Sequence, residues 1–176
     1  MEFSDVVNKR RSIRRYKTDN IPKEYINEIL ESARIAPSGS NKQPWHFLVV
    51  NEKDIIKKLG LPEWAAEAPI ILVCCIDPIE GRWYIIDGSI AFEHVILSAT
   101  NLGLGTCWIG RFYKNLGETD ERIKKILNIP DHMRVLAVTP LGYPAEQPKE
   151  IHRKKMADIT HYNKFMGENL GSIRSN

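Results

Sequence analysis

Residues 68–76 read APIILVCCI, and this is the longest apolar run in the chain. A membrane-spanning helix needs about 20 apolar residues, so the run is too short to cross a bilayer. Its β-branched residues and the proline at its start, Pro69, are typical of a fully buried strand. Because neighbouring side chains of a strand point to opposite faces, Cys74 and Cys75 are predicted to be core thiols on different faces of a sheet.

Predicted helices and strands alternate on both sides of this run. Strands are predicted at 46–50 and 134–143, with an extended or looped segment at 106–110. Helices are predicted at 22–34, with Pro22 as the first helical residue, and at 52–59, about 87–102 and 119–127. Ser4 is expected to cap a short opening helix, Gly103 to end the long apolar helix, and residues 156–165 to have weak helical character. The pattern contains no repeat and no linker, which indicates a single α+β or α/β domain.

The composition is that of an ordinary globular domain, with 176 residues of which 43% are hydrophobic and 27% charged. The first residues lack the basic and then apolar order of a secretory signal. The chain has three cysteines, with no CxxC pair and no HExxH motif. An odd number of cysteines without a framework predicts reduced thiols in the cytoplasm, and no metal site is predicted.

The positive charge is concentrated in two short segments, 9–17 and 149–155. Together they hold ten of the 25 Lys and Arg residues and one of the 22 acids. The remainder has 15 basic and 21 acidic residues, a net charge of −6. Proteins that bind nucleic acid usually spread positive charge along a face, because they follow a polyanion. Two compact basic spots favour one small anion instead.

Arg10, Arg11, Ser12 and Arg14 are the candidate anion ligands in the first spot. Arginine makes planar, bidentate hydrogen bonds that match a phosphate, and a serine hydroxyl adds a further donor. Consecutive residues of a non-helical segment can surround one phosphate from several sides, and Arg14 can reach further along the same ligand. The alternative interpretation is a solvated charge run.

A second candidate element is the loop PSGSNKQPW, residues 37–45. Pro37 stiffens it, Ser38 and Asn41 offer polar contacts, and Gly39 allows close approach; alone, such a loop is more often a surface turn. The sequence has no P-loop, and the segment GLGTCWIG fails the dinucleotide fingerprint because Trp108 stands where a glycine is required. No side-chain catalyst is evident, which is typical of an enzyme whose reactivity comes from a cofactor.

These stretches resemble the nitroreductase family of FMN-dependent oxidoreductases, in its short form. The resemblance extends from about residue 4 to 165 through four motifs in the family's order. They are R-x-S-x-R at 10–14, A-P-S-x-x-N-x-Q-P-W at 36–45, L-G-L-G-T-C-W-I-G at 102–110, and the tail pattern formed by Arg153, Lys154, Met156, Asp158, Ile159, His161 and Tyr162.

The resemblance implies an α+β fold, a three-layer α/β/α sandwich around a mostly antiparallel sheet. It also implies one domain over residues 1–176 and an intertwined homodimer with two FMN molecules at the interface. The C-terminal segment, about 145–176, is expected to wrap around the partner. Neither nucleic acid nor membrane is an expected partner.

By the same resemblance, each candidate residue has an expected role toward FMN. Arg10, Arg11 and Ser12 bind the phosphate, helped by Arg153 and Lys154, and Arg14 lies near the pyrimidine end of the ring. From the other subunit, the ring and ribityl chain are contacted by Pro37, Ser38, Gly39 and Asn41. The Ile109–Gly110 backbone donates an N–H near the reactive nitrogen.

The implied reaction is a ping-pong hydride transfer from NAD(P)H through FMN to a small acceptor, such as a nitroaromatic or a quinone. No side chain is expected to act as a catalyst, since FMN carries the chemistry. The alternative is a flavin-binding carrier or sensor without NAD(P)H turnover.

Overall fold

A computed structural model describes residues 1–111, 117–148 and 150–165 of the chain. Its sheet is antiparallel throughout, with named strands in the order β1-β2-β5-β3, and β4 pairs with β5 beside β3. The strands are β1 (Trp45–Val50), β2 (Ile70–Ile76), β3 (Gly105–Thr106), β4 (Ile109–Gly110) and β5 (Arg134–Gly142). The prediction of an α+β domain with an antiparallel sheet is therefore confirmed.

Six α-helices connect and cover these strands in the described part of the chain. They are α1 (Phe3–Lys9), α2 (Lys23–Arg34), α3 (Lys53–Lys58), α4 (Glu63–Ala66), α5 (Tyr84–Asn101) and α6 (Gly117–Leu127). Two short 3₁₀ turns occur at Gly39–Asn41 and Met156–Asp158. No helix among the described residues has both the length and the apolar character needed to cross a membrane.

β2 is the centre of the core, and all seven of its residues are buried. Its even-numbered residues, including Cys74, pack in a cluster with α2 and α5. Its odd-numbered residues, including Cys75, pack in a second cluster with α3 and α6. Both thiols are free and buried, so the prediction of two core cysteines on opposite faces is confirmed. Alternation along the strand thus places apolar side chains on both faces of the sheet.

α5 lies close against the sheet and leads directly into the glycine-rich segment, residues 103–110. A Cβ on Gly88 would lie 2.4 Å from a methyl group of Ile76, so only glycine fits at this crossing. The helix ends at Asn101, and Gly103, which follows the C-cap Leu102, has a φ of +76°. The N–H groups of Gly103 and Leu104 donate to the carbonyls of Thr100 and Ala99, which forms a Schellman ending. Gly103 therefore ends the helix as predicted.

Several local predictions are corrected by the structure. Ser4 does not cap the first helix, because α1 begins at Phe3 and its N-cap is Glu2. Pro22 is the N-cap of α2 rather than its first helical residue. Helix α4 was not predicted, and the segment 156–165 forms only the turn Met156–Asp158. Lys149 and residues 166–176 of the proposed C-terminal segment lie outside the described residues.

Candidate functional site

The basic segment 9–17, the basic stretch, is extended after the end of α1 and lies alongside β3. Ser12 forms a parallel bridge with Thr106, and the Ile13 N–H donates to the Thr106 carbonyl over 2.8 Å. A Cβ on Gly105 would lie 2.8–2.9 Å from three atoms of Ile13, so the segment sits directly against this glycine. The N-terminal cations are therefore joined to the glycine-rich motif, although the two are some 90 residues apart in sequence.

The chain after β5 holds the other side of the same segment. The Arg14 N–H donates to Glu146 Oε1 over 2.5 Å. The Ala145 N–H donates to the Arg15 carbonyl over 2.9 Å, and the Lys17 N–H donates to the Tyr143 carbonyl over 2.8 Å. Hydrogen bonds on both sides thus fix the backbone in a non-helical form, the form in which consecutive residues can surround one anion.

Two apolar side chains anchor this segment in the core. Ile13 and Tyr16 are buried in a small cluster with Ala68, and Trp64 packs against it. The Tyr16 hydroxyl donates to the Ile13 carbonyl, and burial raises the pKa of Tyr16 far above its ordinary value. The apolar residues of the stretch are therefore inside, and the cationic ones remain at the surface.

The guanidinium groups of Arg10, Arg11 and Arg14 form no salt bridge among the residues that the structure describes. Arg11 Nη1 donates to two backbone carbonyls, those of Asn8 and Arg10, each over 2.7 Å. Partial burial raises the pKa of Glu93 on α5, and the nearby charge of Arg10 opposes this rise. Three arginines without a carboxylate contact, on one rigid segment, make a site suited to an external anion.

Cys107 lies on the protein side of Ser12 and Arg14. It is 5% exposed, and its N–H donates to Thr139 Oγ1 over 3.0 Å. Burial raises the pKa of the Cys107 thiol, while the Arg14 charge and a hydrogen bond from Ser12 oppose the rise. Ser12 is therefore held at the junction of the basic stretch and the glycine-rich segment.

The loop that follows α2 is anchored to the start of α5. The Gly39 N–H donates to Asp87 Oδ1 over 3.1 Å, and the other oxygen of this buried carboxylate has no hydrogen-bond partner. The Gln43 N–H donates to Ser38 Oγ over 3.0 Å. A Cβ on Gly39 would come within 2.7 Å of the Trp83 ring, so this position admits only glycine without a rearrangement.

The same loop has an unusual backbone. Ser40, Asn41 and Gln43 have φ values of 52°, 54° and 51°, in the left-handed region that non-glycine residues seldom adopt. Such strain is sustained only where the surroundings hold the backbone in place, and it is common at ligand sites. Here the bonds to Asp87 and Ser38 provide that support.

β4 presents a backbone donor at the edge of the described sheet. Gly110 is opposite Ala137 of β5, and the Arg111 N–H donates to the Leu136 carbonyl over 2.9 Å. Because successive N–H groups of a strand point to opposite sides, the Gly110 N–H faces away from β5. Among the described strands β4 pairs only with β5, so this donor faces outward from the ladder.

The arrangement combines three arginines without a salt bridge, a strained polar loop and an outward backbone donor. The family model described as the nitroreductase family matches residues 7–70 and 56–143. The chain belongs to the nitroreductase family. This agrees with the resemblance drawn from the four sequence motifs.

Named proteins and solved structures are similar to this chain over most of its length. A Methanothermobacter thermautotrophicus protein with the provisional name NADH dehydrogenase/NAD(P)H nitroreductase is 38% identical over 158 residues, covering 84% of this chain and 80% of the relative. The FMN reductase (NAD(P)H) of Bacillus subtilis is 25% identical, covering 90% and 72%. A solved FMN-dependent nitroreductase from Clostridium difficile has a TM-score of 0.83 and 32% identity, covering 91% of this chain and 98% of that one.

The structure brings together only part of the predicted site in this nitroreductase-family chain. Arg10 to Arg14 lie beside the glycine-rich segment, whereas no hydrogen bond or ion pair among the described residues joins them to the loop 37–41. Arg153 and Lys154 are exposed, and no such contact joins them to the basic stretch either. On α5, Asp87 bonds the loop and Glu93 lies near Arg10 of the basic stretch. These two carboxylates are six residues apart, or about 9 Å along the helix axis.

Three contacts of the site were not predicted from the sequence. Asp87 holds the Gly39 N–H, Glu146 holds the Arg14 N–H, and the Trp64 ring lies under the Arg14 guanidinium at 5.7 Å. Only the contact of Asp87 could have been suspected from the local sequence, because a carboxylate in the first turn of a largely apolar helix needs a hydrogen-bond partner. The other two are 132 and 50 residues from Arg14, so no short motif contains them.

Proposed function

We propose that this chain transfers hydride from NAD(P)H through FMN to a small acceptor, such as a nitroaromatic or a quinone, in a ping-pong cycle. The reaction class is that of its relatives, which are named as NAD(P)H nitroreductases, NADH dehydrogenase and FMN reductase. It is an NAD(P)H-dependent flavin oxidoreductase. The cofactor, the residue roles and the acceptor class are the parts that we propose.

The observation that carries the proposal is a set of three arginines without a salt bridge, on one segment whose backbone is held by hydrogen bonds on both sides. The guanidinium groups of Arg10, Arg11 and Arg14 form no salt bridge in the described structure, and Ser12 lies between Arg11 and Arg14 on the same segment. This donor set matches the terminal phosphate monoester of FMN in charge and geometry. The residues present therefore fit the cofactor that the family implies.

The roles follow from where the side chains start on the segment. Arg10, Arg11 and Ser12 bind the phosphate, and Arg153 and Lys154 complete its neutralisation from the exposed tail. Arg14 is two residues further along the extended chain, so it meets the pyrimidine end of the ring and stabilises negative charge there. When bound, FMN supplies the ring that stores and releases two electrons and a proton.

The polar loop and β4 supply the remaining contacts. Pro37, Ser38, Gly39 and Asn41 contact the ring and ribityl chain, and the loop keeps its shape because Asp87 holds its backbone. The Gly110 N–H, carried on the Ile109–Gly110 strand, donates to the reactive edge of the ring. A backbone donor needs no titratable side chain at that position, which suits the expectation that FMN and not a side chain carries the chemistry.

We also propose that two copies build each site. No hydrogen bond or ion pair among the described residues joins the loop 37–41 to the basic stretch, as expected if they act from different subunits of a homodimer. Apolar side chains are exposed where a second subunit would cover them. In the helical part, Phe3 of α1 is 74% exposed and Ile35, at the end of α2, is 63% exposed. On the tail, the exposed fractions are 73% for Met156, 82% for Tyr162 and 78% for Phe165.

We further propose a three-layer fold for each subunit and a cytoplasmic location for the protein. Apolar clusters on both sheet faces support a three-layer α/β/α sandwich within each subunit. The three cysteines are unpaired and buried, which supports a reducing compartment, the cytoplasm.

The spectrum of the purified protein and its response to nicotinamide test this function. We expect heat-released cofactor to be FMN, one per chain, and anaerobic NADH or NADPH to bleach its absorption. Initial rates with a quinone acceptor should give the parallel double-reciprocal lines of a ping-pong cycle. Release of FAD would contradict the proposed phosphate clamp. Bound FMN that neither nicotinamide reduces would indicate the carrier or sensor instead.

A further inference from the structure

The guanidinium of Arg14 lies over the ring of Trp64, 5.7 Å from the ring centroid. This is within the distance at which a cation is attracted to an aromatic face. Trp64 belongs to the short helix α4, and it packs against the buried cluster of Ile13, Tyr16 and Ala68. The core thus sets the position of the ring, and the ring offers its face to the cation.

The backbone of Arg14 is already fixed by other contacts. Its N–H is bonded to Glu146, and the residues on either side are bonded to Thr106 and Ala145. The side chain, in contrast, has the large rotamer freedom of a long arginine. The described structure gives its guanidinium no carboxylate partner, so the Trp64 face is the contact that limits this freedom.

We propose that Trp64 is a positioning residue that holds the Arg14 guanidinium at the pyrimidine end of the flavin and thereby raises the flavin's reduction potential. This inference rests on the proposed function, in which Arg14 occupies that place. A cation stabilises the reduced anionic ring most when it is held in position before the charge develops. A ring that fixes the cation therefore favours the reduced form more than the oxidised form.

The packing role and the cation role of Trp64 can be separated by substitution. Trp64→Leu keeps an apolar side chain against Ile13, Tyr16 and Ala68 but removes the aromatic face. Trp64→Phe keeps a smaller face. Trp64→Met serves in the same way as the leucine variant if that variant does not fold.

The test is a spectroelectrochemical titration of FMN-loaded protein, combined with a fluorescence titration of oxidised FMN. We expect Trp64→Leu to bind oxidised FMN within about twofold of wild type but to bind reduced FMN about three- to tenfold more weakly. That difference lowers the midpoint potential by about 15–30 mV, since tenfold corresponds to about 30 mV for two electrons. Trp64→Phe should retain most of the wild-type potential.

Arg14→Gln separates failure of this inference from failure of the proposed function. It should lower the potential by at least as much as Trp64→Leu, and adding Trp64→Leu to it should cause no further shift. Arg122→Gln removes an equal charge from an exposed position on α6 and should cause none. An unchanged potential in Arg14→Gln overturns the proposed place of Arg14. A shift in Arg14→Gln but none in Trp64→Leu, or additive shifts in the double variant, overturns the role of Trp64 alone.

Discussion

Gly105→Ala should destabilise the fold and loosen the anion site at the same time. The added Cβ would lie 2.8, 2.9 and 2.9 Å from Cγ1, Cβ and Cγ2 of Ile13, closer than packed carbon atoms approach. Ile13 is 5% exposed, and its N–H is bonded to the Thr106 carbonyl, so neither its side chain nor its backbone can easily withdraw. The segment 12–14 must therefore move.

The size of the effect follows from this packing. Inserting a methyl group into a packed core costs about 1–3 kcal/mol. For a domain of this length each kcal/mol lowers Tm by about 2–4 °C, so a decrease of about 2–12 °C is expected. Ser12 and Arg14 flank Ile13 and are displaced with it, so FMN affinity should fall as well. Since Gly105 does not have a positive φ, the cost is steric and not conformational.

Urea unfolding of the cofactor-free protein and fluorescence titration with FMN measure the two consequences. Two variants of Ile13 serve as matched partners. Ile13→Val keeps all three crowded atoms and should not rescue Gly105→Ala. Ile13→Ala removes Cγ1 and Cγ2 and leaves only the contact at 2.9 Å, so the double variant should be more stable than the sum of the single effects by about 0.5–3 kcal/mol.

Two results would refute this reasoning. The first is a Gly105→Ala protein whose free energy of unfolding is within about 0.5 kcal/mol of wild type, as for an uncrowded surface site. The second is strict additivity with Ile13→Ala, which would mean that the two side chains do not meet. Loss of stability with unchanged FMN affinity would mean that the contact between Gly105 and Ile13 supports the fold but does not position the FMN-binding residues.

Three further outcomes can be checked. Arg10→Ala should weaken FMN binding about tenfold or more, because a hydrogen bond to a charged group contributes about 1.5–3 kcal/mol, and Ser12→Ala should lose less; equal affinity for wild type and Arg10→Ala would mean that the stretch only faces solvent. Burial alone would raise the pKa of Asp77, but the N–H groups of Ile79 and Glu80 and the contact with His132 lower it, so this carboxylate stabilises the fold above its unfolded pKa and loses that contribution in acid. Asp77→Asn should therefore unfold more readily than wild type in urea at neutral pH, and the difference should vanish as the pH falls through the folded pKa. Burial raises the pKa of Cys75 to about 12 and raises those of Cys74 and Cys107, so iodoacetamide should label no cysteine of the native protein and all three in urea, as read by intact mass.

Local patterns were sufficient to predict the elements that form the core. The apolar run at 70–76 is β2, and alternation along it placed Cys74 and Cys75 on opposite faces, as found. The long helix before Gly103 was expected at about 87–102 and spans Tyr84–Asn101. These properties depend on which residues are apolar and at what spacing, and that information lies within a few residues along the chain. The clustering of basic residues at 9–17 predicted a compact anion site, and that site stays a prediction.

The partners that shape the candidate site could be found only from the tertiary structure. Periodicity indicates which face of an element is buried, but not which distant residue it will meet. Gly39 and Asp87 are 48 residues apart, and Arg14 and Glu146 are 132 apart, so each contact exists only after the sheet has formed. The helix α4, which carries Trp64, is four residues long, too short for its apolar positions to establish a period. Its place under Arg14 is set by packing against Ile13, Tyr16 and Ala68, because a short helix is stabilised by its tertiary contacts and not by its own sequence.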